Sequence, residues 1–84
     1  MAAVRAGLRL RPDVLLLHEG PDLPAQGLAG RPAVRTALER ADRAAPNMLV
    51  VCGHCHWDVP IIELCSGVQV LNVDHRVVVA MEAN

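Results

Sequence analysis

The chain has no lysine, no phenylalanine and no tyrosine, and a single tryptophan among its 84 residues. Although 52% of the residues are hydrophobic, the core must therefore be assembled from Val, Leu, Ile and Ala, with little help from rings. Eight arginines against nine acids leave a formal net charge of -1. That balance supplies no basic field to track a nucleic-acid backbone and no polybasic patch for a membrane surface. No run reaches the roughly 20 apolar residues of a membrane-spanning helix, and the first residues lack the continuous apolar region of a signal peptide. Three cysteines are an odd number, which argues against a closed set of disulfides and suits a reducing, cytoplasmic compartment. A chain of this length is at most one small domain and buries roughly 60–65% of its unfolded surface.

What is present alternates between helix and strand patterns. Ala2 to Leu10 carries apolar residues at helical spacing and ends at Pro12. Asp13 to His18 is a short apolar run closing on a histidine, followed by the breaker Glu19-Gly20-Pro21, and reads as a buried strand. Gly20 to Gly30 reads as a surface loop. Pro32 to Ala45 has proline in its first turn and Val34, Ala37, Leu38 and Ala41 at helical spacing, which predicts a helix. Met48 to Cys52 is a second fully apolar run. Beyond it, Val59–Cys65, Val68–Val73 and Arg76–Met81 read as three strands joined at Ser66-Gly67 and Asp74-His75 by hairpin turns.

The resulting order is an α/β arrangement: a βαβ unit followed by an antiparallel meander. A strand-helix-strand unit is normally a right-handed crossover that sets its two strands parallel, with their carboxyl ends at one edge. If the strands are neighbours, His18 at the end of the first and His54 just beyond the second share the crevice where open α/β sheets bind ligands. Within Cys52-Gly53-His54-Cys55-His56, the two histidines point to one side in extended backbone, and Gly53 permits a sharp change of direction. Three imidazoles would then converge, as a transition-metal site requires.

Gly53-His54-Cys55-His56 after an apolar strand, together with the strand-terminal histidine of Leu16-Leu17-His18-Glu19-Gly20-Pro21, resembles the last two signature blocks of the calcineurin-like metallophosphoesterases. Leu71-Asn72-Val73-Asp74 and the valine strand after it look like the end of that domain, so the resemblance covers nearly the whole chain. It implies one partial domain over residues 1–84, the C-terminal half of an αββα sandwich, and hydrolysis of phosphoesters, whether small molecules or nucleotides. It further implies a centre of two divalent ions (Mn, Fe, Zn or Ni), with His18 and His54 on one ion and His56 on the other. Such a pair of ions, roughly 3.5–4 Å apart, clamps the phosphoryl oxygens and generates hydroxide near neutral pH.

The family's earlier blocks, an Asp-x-His, a Gly-Asp-x-x-Asp and a Gly-Asn-His, are absent, and with them the bridging aspartate and the histidine that would protonate the leaving group. No residue of this chain is therefore assigned a catalytic role. Three neutral imidazoles without a bridging carboxylate cannot offset the repulsion of two dications. The apolar strands, hydrophobic on both faces, imply an uncovered face and hence self-association or a complementing polypeptide. Glu19 and Asp58 are either acceptors behind the ligands or solvated loop carboxylates, Trp57 either covers the site or fills the core, and His75 reads as an exposed turn residue. The competing reading is an inactive fragment or partner module with a structural zinc site at Cys52, His54, Cys55 and His56, with Cys65 available to complete a tetrahedron. Redox chemistry at Cys52 and Cys55 would need an exposed first cysteine, and Cys52 ends a strand expected to be buried.

Overall fold

The computed structural model describes residues 2–40 and 48–75. In chain order these form α1 (Ala2–Arg9), β1 (Val14–Glu19), a 3-10 turn (Pro24–Gln26), α2 (Pro32–Glu39), β2 (Leu49–Gly53), β3 (Ile61–Glu63) and β4 (Gln69–Asn72). The expected end of the second helix and the expected third meander strand, Arg76–Met81, lie outside the described residues.

α2 opens where proline is best tolerated. Pro32 sits in the first turn, Arg31 is extended at φ −104°, and the Arg31 carbonyl accepts from the Val34 and Arg35 N–H groups at 3.0 and 3.1 Å. Val34 and Leu38, one helical turn apart, are its buried stripe. α1 buries Val4, and the chain leaves it through Arg11, at φ 50°, before Pro12.

The four strands form one mixed sheet in the order β1-β2-β4-β3. β1, β2 and β4 are parallel, and β3 runs antiparallel beside β4. The expected βαβ unit and the hairpin at Ser66-Gly67 are both present, with Gly67 at φ 91° and its N–H donating to the Leu64 carbonyl at 2.8 Å. One element of the meander expectation is corrected: the strand set against β2 is β4, parallel to it, while β3 is moved to the sheet edge. The longer β4, with Val70 and Asn72 buried, is better suited to a central position than three-residue β3, where only Ile62 is buried.

Register divides the sheet into rows. Leu15, Val50, Val70 and Ile62 align across the four strands. Together with Val4, Val34 and Leu38 from the helices, Val50, Val70 and Ile62 belong to one buried cluster, so both helices cover this face. The next row, Leu16, Val51, Leu71 and Ile61, points the other way because side chains alternate along a strand. There Leu16 is 74% exposed, Val14 51% and Ile61 48%. The described helices thus cover one side of a sheet that is apolar on both.

The Gly20–Gly30 segment departs from a simple surface loop. Gly20 and Pro21 are buried, a Cβ at Gly20 would overlap the Cys52 Sγ, and a Cβ at Gly30 would overlap the Pro21 backbone. The segment closes on itself through Arg31 N–H to the Gly20 carbonyl (2.9 Å) and through the Leu23–Leu28 pair. Asp22 and Arg35, 2.7 Å apart, tie it to α2. Close backbone approach, which only glycine permits at two points, turns a loop-like composition into a packed layer over the end of β2.

Candidate functional site

Parallel β1, β2 and β4 deliver three chain segments to one edge: His18-Glu19, Gly53 to His56, and Asn72 to His75. Between Leu16 and Glu19, β1 carries one residue more than β2, since Leu16 pairs with Val51 while Glu19 pairs with Gly53. An extra residue of this kind bends a strand and redirects its side chains. His18 lies in that interval and is exposed, and its ring centroid stands 4.9 Å from that of His54, tilted by 46°. Two imidazoles distant in sequence therefore meet at the carboxyl edge.

The turn after β2 differs from its expected form. Gly53 does not take a positive φ and a Cβ there would make only an ordinary contact with the His18 carbonyl, whereas His54 itself sits at φ 67°. The left-handed residue of the turn is thus the histidine, a conformation that L-residues adopt at a cost and that histidine tolerates better than most.

His56 does not join the pair. Its Nδ1 lies 3.7 Å from an Asp74 carboxylate oxygen and its Nε2 3.8 Å from Asp58, which is fully exposed. Asp74 also stands 3.6 Å from the Nε2 of His75, and the His56 and His75 rings are 6.2 Å apart, edge to face. His75 occupies the exposed turn expected of it, at φ 55°. Among the described residues no group of three or more His, Cys, Asp or Glu side chains is arranged to hold a metal ion. The arrangement is a histidine pair, with the third histidine drawn aside to a carboxylate.

The three cysteines stand in different settings. Cys52 is buried, and burial foremost, then the neighbouring Cys55, pushes its thiol up to about 11. The Cys55 thiol is raised first by burial and then by Glu19, to whose carboxylate its Sγ donates at 3.7 Å, with Asp74 adding to the effect. Thiolate is the nucleophilic form, so both shifts work against nucleophilic chemistry at these thiols. Cys65 is exposed in the β3–β4 turn, at the opposite edge of the sheet. A tetrahedron drawing on Cys52 and Cys65 has no geometric support here.

Two neighbours of the histidines carry more of the architecture than their types suggest. Trp57 is 1% exposed and donates its indole N–H to the Ala29 carbonyl at 2.7 Å, pinning the packed 20–31 segment against the site loop. It is a core residue rather than a cover. Asn72 is 1% exposed, and its side chain bonds to both neighbouring segments of the edge. Asn72 and Asp74 were not marked as site residues by sequence reasoning. The available signal is the amide of Asn72 near the end of the Val68–Val73 run, with the acid of Asp74 just beyond it. Comparison of the chain with protein-family models, with curated proteins and with solved structures gives no significant match.

Proposed function

We propose that this chain supplies the histidine ligands of a metal-dependent phosphoester hydrolase and is completed by a second polypeptide segment that brings the acidic ligands. The observation that carries the reading is the meeting of His18 and His54, 4.9 Å between ring centroids, at the carboxyl edge of adjacent parallel strands.

The donor set fits half of a binuclear centre. His18 and His54 would hold one ion and His56 the other, while no group of three or more candidate ligands comes together among the described residues. When bound, such ions supply the polarisation of the phosphoryl group and a hydroxide nucleophile. The chain's own residues supply position and exclusion. The parallel register sets His18 beside His54, Asp74 stands beside His56, and Cys52 is buried. The row of Leu16, Val51, Leu71 and Ile61, on the face that the described helices leave open and with Leu16 and Ile61 exposed, offers an apolar face to the completing polypeptide, or to a second copy in its absence.

The test is manganese- or nickel-dependent hydrolysis of an aryl phosphate diester. The chain is assayed alone and mixed with a polypeptide carrying the Asp-x-His, Gly-Asp-x-x-Asp and Gly-Asn-His blocks. Turnover is expected in the mixture and lost with His56→Ala. Robust turnover by the chain alone would overturn the half-site account, and equal turnover with His56→Ala would remove His56 from the site.

A further inference from the structure

Asn72 is the one buried polar or charged residue among the described positions, and it lies at the last register position of β4, opposite Cys52. Its Nδ2 donates to the Cys55 carbonyl at 2.8 Å, and its Oδ1 accepts from the Asp74 N–H at 2.9 Å. Its own backbone N–H donates to the Pro60 carbonyl at 2.8 Å. One residue thus fastens the loop between His54 and His56, the segment leading to β3, and the turn that carries Asp74.

The two side-chain partners have opposite polarity. A carbonyl needs a donor and an N–H needs an acceptor, so the amide's orientation follows from its surroundings and only an amide of this length meets both. Aspartate would set an oxygen against the Cys55 carbonyl. Leucine, of similar size, would leave both backbone groups unsatisfied in a buried place. An apolar residue would otherwise suit this row of the sheet, which points to a positional demand rather than to packing.

We propose that Asn72 is the positioning residue of the site: its side chain registers the His54–His56 loop on the end of β4 and sets the Asp74 carboxylate beside His56. Cys55 lies between the two histidines, so its carbonyl fixes both neighbours at once. Asp74, held by its N–H, stands 3.7 Å from the His56 Nδ1, while the Nε2 on the other side of the ring faces the exposed Asp58 carboxylate at 3.8 Å. A carboxylate behind a histidine commonly sets the ring's tautomer and orientation. The consequence for metal affinity rests on the phosphoester reading above, whereas the positional claim does not.

The experiment uses the full chain with Asn72→Asp and Asn72→Leu, and Leu64→Ala as a core truncation at the opposite edge. The imidazole resonances of His54 and His56 are followed by NMR without metal, and Co2+ affinity is measured by titration. Both Asn72 variants are expected to displace the two histidines' resonances and to lower Co2+ affinity about 10–100-fold, while Leu64→Ala lowers stability and leaves both readouts unchanged. A folded Asn72 variant with wild-type histidine resonances would overturn the proposal. If neither variant folds, hydrogen exchange in the wild-type chain decides: the Asp74 amide is expected to be protected, and exchange at the unprotected rate would overturn the claim. Failure of the wild-type chain to bind Co2+ would count against the phosphoester reading, and the histidine resonances would then decide the role of Asn72.

Discussion

Replacing His54 by glycine, and separately by alanine, isolates the cost of its backbone conformation. Both variants remove the imidazole, but only alanine keeps a Cβ at φ 67°. The left-handed conformation costs an L-residue about 1–2 kcal/mol. Glycine gives back roughly 0.5–1 kcal/mol through the larger entropy of its unfolded chain, so His54→Gly should exceed His54→Ala by about 0.5–1 kcal/mol. At about 2.1 cal/mol/K per residue, an unfolding entropy of ~180 cal/mol/K for 84 residues converts this to a Tm difference of ~3–6 °C. Trp57, the sole tryptophan and fully buried, gives a fluorescence signal for the transition. The two variants should bind Co2+ equally poorly. Equal stability, or a more stable alanine variant, would show that the turn stores no strain at His54 and that the reasoning from its φ is wrong. The interest of the comparison is that strain of this kind persists where the surrounding structure holds a functional side chain in place.

Three further outcomes follow from packing, electrostatics and the uncovered face. Trp57→Ala should cost about 3–5 kcal/mol for the lost ring and also strand the Ala29 carbonyl. That is a large part of the ~4–13 kcal/mol available to a domain of this size, so urea unfolding followed by circular dichroism should lose most of its cooperative transition. Among the thiols, exposed Cys65 should alkylate first and Cys52 last in a mass-spectrometric time course at pH 8. Because the Cys52 thiol is raised from 9.0 to about 11, its contribution to stability is full below pH 9 and lost as pH rises through about 11. The urea midpoint should fall over that window, and the part due to this group should vanish in Cys52→Ala. Leu16→Glu should reduce self-association in sedimentation at little cost to folding, since Leu16 is exposed in the isolated chain; an unchanged association constant would place the contact elsewhere.

The parts legible from sequence were those carried by local chemistry. Pro32 with Val34 and Leu38 marks α2, the apolar runs mark β1 and β2, and Ser66-Gly67 marks the hairpin, because each depends on residues within a few positions of one another. The parallel relation of β1 and β2 followed from the crossover between them, and with it the approach of His18 to His54. The place of β4 beside β2 was not legible, since it is decided by which strand buries best at the centre, a long-range competition with no local signature. The same limit applies to Gly20, whose necessity appears only when Cys52 packs on it. At the site, Gly53 drew attention as the flexible residue, but the left-handed position fell on His54. Asn72 and Asp74 read from sequence only as part of the domain's end and of a turn, because a single amide and a single acid at a strand end carry no spacing pattern; their role at the site lies in partners on other segments.

Whether His18 and His54 form one site is tested most directly by titrating the full chain with Co2+ while following its histidine resonances. The His18 and His54 signals should broaden together at the lowest metal ratios, and His18→Ala should abolish the early broadening at His54. Independent broadening of the two histidines, or a thiolate-to-cobalt charge-transfer band showing cysteine ligation, would contradict a shared histidine site.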